Sequence, residues 1–232
     1  SCGESDKPEH HTNPQNHEQA IHWRNQGSLF LQQGRPARAL AAFEKASQLD
    51  SSSSTLYFNK GLAHAQLEEH PAAIIAFEHA LSLDPQKPHY LFALASSLRS
   101  QHRYLEAIGY LERAITGAPD RAEYHFNLGL VLRATSDFTR ARNAFARTLE
   151  LAPDHLEARY YHSDLLARDQ HLESARQGFA MLLAQDSTHV QGLLGLGGLL
   201  IDLKKPLQAA RILNRAAATA PHNPSPHYPL TQ

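Results

Sequence analysis

The chain has 232 residues, enough to bury a core as one domain or as two small ones. Its 22 Lys and Arg balance 23 Asp and Glu, leaving a net charge of -1, which excludes the cationic footprint of a nucleic-acid-binding domain or of a protein held on an anionic bilayer by charge. The one cysteine, Cys2, excludes an internal disulfide framework, and no run of 18 apolar residues offers a membrane-spanning helix.

Taken in chain order, the first 19 residues, SCGESDKPEHHTNPQNHEQ, are polar and contain Pro8 and Pro14. They read as a flexible leader, residues 1–19, with a helix starting at Asn13-Pro14, asparagine as cap and proline in the first turn.

From there the chain repeats itself. ALAAFEKASQLDS from Ala39 returns as AIIAFEHALSLDP from Ala73, and then from Ala107, Ala141, Ala175 and Ala209, every step being 34 residues without insertion or deletion. Four residues on, the series reads Phe43, Phe77, Leu111, Phe145, Phe179, Leu213, and seven on it reads Ala46, Ala80, Ala114, Thr148, Leu182, Ala216. Spacings of 4 and 3 put these side chains on one helical face, with alanine where another helix must come close. An earlier column of small residues, Gly27, Gly61, Ala95, Gly129, Ser163 and Gly197, marks a partner helix that packs tightly there. A short turn separates the two, carrying Gly34 in the first copy. Pro36, Pro71 and Pro206 open the second helix, where a missing N–H costs nothing, and Pro85, Pro119, Pro153 and Pro221 follow its end. Each copy is therefore helix, turn, helix, stop.

The closing PSPHYPLTQ, residues 224–232, holds three prolines and cannot be helical. No polar cap follows the last repeat. Either its second helix shows an apolar edge to a partner or a second copy, a route to self-association, or the protein continues beyond Gln232.

This pattern resembles the tetratricopeptide repeat family: Trp23, Gly27, Phe30, Gly34, Ala39, Phe43 and Ala46 match its order of aromatic, small, aromatic, glycine and Ala-x-x-x-Phe-x-x-Ala. In that register six repeats run 20–53, 54–87, 88–121, 122–155, 156–189 and 190–223. The fifth departs most, with Arg159, His162 and Ser163 where the family prefers an aromatic, Leu and Gly. The resemblance implies an all-α fold, a right-handed α-solenoid whose first helices line a concave groove.

By the same resemblance, fixed positions of each first helix face that groove. The fifth reads Arg24, Phe58, Phe92, Phe126, Tyr160, Leu194; the ninth includes Leu62, Leu130 and Asp164; the twelfth includes Arg99 and Arg133. This predicts an apolar, aromatic groove with Arg99, Arg133, Glu157 and Asp164 along one side. The family also uses aromatics at the fifth position as packing between neighbouring first helices, and both readings stay open. Relatives that clamp a peptide carboxylate use paired basic residues with Asn. Arg24, Ser28, Asn59, His89 and Ala93 stand at the matching places, so the third repeat's basic residues are missing and that specificity is not expected. Occupants that suit an apolar groove are a peptide, with the aromatics as anchors, or a sterol- or hopanoid-like lipid.

Cys2 followed by Gly3 and a polar tether resembles the mature start of a bacterial lipoprotein. That implies acylation of Cys2, anchoring to the outer membrane and a periplasmic location. The alternative is a chance cysteine in a tail.

No nucleophile elbow, phosphate-binding loop or zinc-protease motif is present; GLLGLGGLL from Gly192 lies inside a periodic helix with no strand before it. An enzyme and a cofactor are not expected. The histidines scatter over repeat positions, and only His10, His11 and His17 with Glu9 suggest weak metal buffering; no metal site is expected. The expected function is that of a non-catalytic adapter in an envelope assembly or transport system, with a lipid carrier as the alternative.

Overall fold

Twelve α-helices, and no strand, are found in residues 14–219, the part of the chain that this computed structural model describes. They are α1 (Pro14–Gln32), α2 (Pro36–Leu49), α3 (Ser54–Gln66), α4 (His70–Leu83), α5 (Pro88–Ser100), α6 (Tyr104–Gly117), α7 (Ala122–Ala134), α8 (Phe138–Leu151), α9 (Leu156–Arg168), α10 (Leu172–Gln185), α11 (Val190–Asp202) and α12 (Pro206–Thr219). The helices form two compact units, Ser1–Pro119 and Asp120–Gln232. Helix α1 starts at Pro14, so residues 14–19, which the repeat register assigns to the leader, are helical. Cys2 and the segment 224–232 lie outside the described residues.

One turn is used six times. Each first helix ends in a left-handed residue: Gly34 (φ 68°), Glu68 (60°), His102 (57°), Ser136 (64°), Gln170 (62°) and Lys204 (56°). The residue after it donates its N–H to a carbonyl five residues back. Arg35 bonds Phe30, Glu69 bonds His64, Arg103 bonds Leu98, Asp137 bonds Leu132, His171 bonds Leu166 and Lys205 bonds Leu200, at 2.8–2.9 Å. That bond, with the left-handed residue before it, is the Schellman arrangement, and it satisfies carbonyls which the helix end leaves open. The sequence marks it with glycine only in the first copy.

Within each pair the alanine column lets the helices touch. Ala39, Ala73, Ala107, Ala141 and Ala175 are fully buried, and Phe43, Phe77, Phe145 and Phe179 are at most 1% exposed. The small column is explained by those rings. A Cβ on Gly27 would come within 2.5 Å of Phe43 Cε1, one on Gly129 within 2.6 Å of Phe145 Cε1, and Gly61 faces Phe77 as closely. The third repeat meets the same limit with the pair Ala95 and Leu111, both buried.

The fifth repeat solves the misfit of Ser163 through its neighbours. Ser163 is buried and donates its hydroxyl to the Arg159 carbonyl at 2.8 Å. It fills the space that glycine leaves under the ring elsewhere, and Phe179 packs against Gly195 of the next helix, where a Cβ would lie 2.7 Å away. Buried Arg159, in the aromatic column, donates its guanidinium to the Pro153 carbonyl and to the Met181 sulfur. His162, in the leucine column, is half-buried; burial, then the charges of Arg142 and Arg159, push its ring below the usual histidine range, so it stays neutral.

Candidate binding surface on the first helices

In the first unit the surface is built on α3 and α5. Phe58 of α3 stacks on Tyr90 of α5 (centroids 4.4 Å apart, planes at 21°) and meets His89 edge-on at 5.2 Å. Its inner edge tilts onto Phe77 at 5.7 Å. Phe58, Leu62, Phe92 and Arg99 are all half-buried. Three of the places matched to a carboxylate clamp, Arg24, Ser28 and Asn59, form a local chain of hydrogen bonds. Asn59 donates to Ser28 Oγ at 3.1 Å, Ser28 donates to the Arg24 carbonyl at 3.0 Å, and Arg24 donates to Ser53 Oγ at 3.3 Å.

In the second unit Phe126 of α7 lies 4.3 Å from the His155 ring and also touches Phe145 and Tyr161. Tyr160 of α9 sits among Tyr161, Phe179 and His189. Leu130 is half-buried, whereas Leu194 on α11 is 44% exposed. Exposed Arg133 places its guanidinium 4.5 Å over the Tyr161 ring, and Arg168 lies 3.8 Å over Phe138. Asp164, half-buried between them, is pushed above the usual carboxylate range by burial, against the pull of Arg133 and Arg168. Burial, with Asp164 nearby, raises the Tyr160 phenol, which therefore stays a hydrogen-bond donor. Glu157 is exposed, 3.4 Å from the His155 ring.

The second unit thus brings Phe126, Tyr160, Arg133 and Asp164 into one surface of aromatic shelf and fixed charge. The aromatic column serves two purposes: Phe58 and Phe126 pack on Tyr90 and Tyr161 of the next repeat, and both stay only half-buried. Two residues on this surface escape a reading of histidines as scattered. His155 and His189, 34 apart, cap α9 and α11, each accepting through Nδ1 from a backbone N–H, that of Ala158 at 3.3 Å and that of Gly192 at 3.0 Å. Aligning the last residue of every repeat would have revealed the column, which continues from Ser53, the cap of α3.

Cavities are also found in the described residues. One of about 410 Å³ is lined by Arg35, Pro36, Ala37, Arg38 and Leu67; one of about 300 Å³ lies between α10 and α12; the third, about 10 Å³, lies beside Asp50. Among the described residues no three His, Cys, Asp or Glu side chains are gathered to hold a metal, and no helix is long and apolar enough to cross a membrane.

A tetratricopeptide repeat profile matches residues 24–88 and 128–190, and a second profile of the same repeat matches 89–154. The chain belongs to the tetratricopeptide repeat family. As in that family generally, these repeats indicate a protein-binding scaffold. Among solved structures, pilF of Pseudomonas aeruginosa superposes with a TM-score of 0.75 at 23% identity, covering 90% of this chain and 95% of that one. YrrB, described as a TPR protein with an unusual peptide-binding site, gives 0.71 at 23% identity over 78% of this chain and 94% of its own. MamA of Desulfovibrio magneticus RS-1 gives 0.69 at 20%, over 74% and 97%. At these identities the likeness is one of fold. No curated protein is similar enough in sequence to count as a match.

Proposed function

We propose that this tetratricopeptide repeat protein is a non-catalytic adapter that holds a polypeptide segment against its first helices, chiefly through Phe126, Tyr160, Arg133 and Asp164. The observation that carries this reading is the second unit's surface, where half-open aromatic rings lie beside a guanidinium and a carboxyl. Aromatic rings anchor apolar side chains of a peptide, and Arg133 and Asp164 fix its polar groups. YrrB, with its peptide-binding site, supports the same use of the fold. The adapter works in the periplasm, tethered to the outer membrane through acylated Cys2, in an assembly or transport system; the support for this is the Cys2-Gly3 start and its polar tether. A lipid carrier has weaker support, because Phe58 and Phe126 are partly taken up by packing on the next repeat.

The test is photocrosslinking in the native host with p-benzoylphenylalanine in place of exposed Leu194, and in place of Leu105, 79% exposed on α6, as control. An adduct to one protein at 194 and not at 105, lost with Tyr160→Ala, is expected. An adduct to lipid at 194 would replace the adapter with the carrier. Separately, Cys2→Ser in the full-length precursor is expected to abolish palmitate labelling; unchanged labelling would remove the anchor.

A further inference from the structure

The cavity of about 300 Å³ in the second unit lies away from the surface just described. Its floor is Ala180, Leu196, Leu200 and Ile212, and its rim is Arg176, Lys205, Gln208 and Arg211. Leu196 and Leu200 stand roughly 200–240° round α11 from Leu194, so the cavity opens on a different face of that helix.

The charges on its rim differ from those one repeat earlier. One repeat earlier, Arg142 of α8 is ion-paired with Asp169, at the end of α9. Thirty-four residues on, Arg142 becomes Arg176, but Asp169 becomes Leu203. Without that carboxylate Arg176 turns back to Glu173 on its own helix, at 2.6 and 2.9 Å. Among the described residues Lys205 and Arg211 have no ion-pair partner. The last repeat concentrates the imbalance: residues 190–219 hold four basic side chains, Lys204, Lys205, Arg211 and Arg215, against one acidic, Asp202, in a chain whose net charge is -1. Leu203 itself packs against the core, and the Glu173 charge also acts on Lys205, so the cavity combines an apolar floor with a rim on which Arg176, Lys205 and Arg211 outnumber the one carboxylate near them.

We infer that this cavity is a second docking site, for a partner polypeptide that presents a carboxylate side chain beside a large apolar one. The carboxylate docks between Lys205 and Arg211, the two rim charges without an ion-pair partner. The apolar neighbour covers Leu196, Leu200 and Ile212. A bidentate contact with the Arg211 guanidinium fixes the register, and the apolar contact adds to the gain.

The experiment is a ¹⁵N-NMR titration of the full chain with N-acetyl-Phe-Glu-Leu amide as probe, against its neutral isostere N-acetyl-Phe-Gln-Leu amide. Shifts are expected in the amides of α10, the end of α11 and α12, saturating at millimolar probe, with binding of the Gln peptide weaker by about tenfold. The double variant Lys205→Gln, Arg211→Gln, both exposed and away from the core, is expected to keep its melting temperature and lose the preference for Glu. Equal binding of the two peptides, or no shift in those amides at saturating millimolar probe, overturns the proposal. Concentration-dependent shifts in the same amides without peptide would assign the pocket to a second copy of the chain and overturn it too.

Discussion

At Glu68, His102, Ser136, Gln170 and Lys204 a side chain is held at positive φ, where the first repeat places Gly34. For an L-residue the left-handed region brings Cβ against the following carbonyl, at a cost of about 1–2 kcal/mol. Glycine removes that cost but frees the unfolded chain, which returns about 0.4–1 kcal/mol of the gain. Gln170 is exposed, so little else changes there. Gln170→Gly is therefore expected to stabilise the protein by up to about 1 kcal/mol, read as a higher urea midpoint at unchanged slope. Gly34→Ala tests the same term with opposite sign. A Cβ on Gly34 would meet nothing within 4 Å, so any loss of stability comes from the backbone alone. A stable Gly34→Ala protein beside an unimproved Gln170→Gly would show that these turns are not strained.

An element of this fold is set by its ends as much as by its buried face. Helix α11 starts at His189, whose Nδ1 accepts the Gly192 N–H, an acceptance available only to the neutral ring. His189→Ala is expected to cost about 1 kcal/mol. His189→Asp is expected to recover it, since a carboxylate both accepts that bond and suits the positive end of the helix dipole. Thermal melting of the two variants decides; equal loss in both would mean that the ring's packing beside Tyr160, not the cap, is what matters. The helices were legible in the sequence because alanine, phenylalanine and glycine recur in register, and each column has one physical cause: close approach, a buried ring, and room for that ring. The caps were not legible, because Ser, Lys, Arg and His occupy the one column and no residue type marks it. The binding surface was legible only as positions. How far Phe58 or Phe126 opens to solvent depends on Tyr90 and Tyr161 in the following repeat, which no pattern within one repeat reveals.

Across the whole chain, packing is between near neighbours in sequence: within each unit every helix rests on the one before and the one after it, with lighter contacts between alternate first helices. Stability in such an array is close to a sum over repeats and the interfaces between them, so a defect spreads only as far as the coupling carries it. Gly61→Ala is a suitable defect. Its new Cβ would meet the Phe77 ring, which is 1% exposed and cannot move aside, and overpacking of this kind costs about 1–3 kcal/mol. The third repeat already shows how the chain relieves that conflict, with Ala95 opposite Leu111. Gly61→Ala is therefore expected to lower amide exchange protection in α3 and α4 most and in α2 and α5 less, leaving α9–α12 near their original values. Adding Phe77→Leu is expected to restore a large part of the loss, a coupling that independent sites would not show. Protection falling equally in α3 and α11 would instead mean that the two compact units open as one, and that the repeats are not the units of stability.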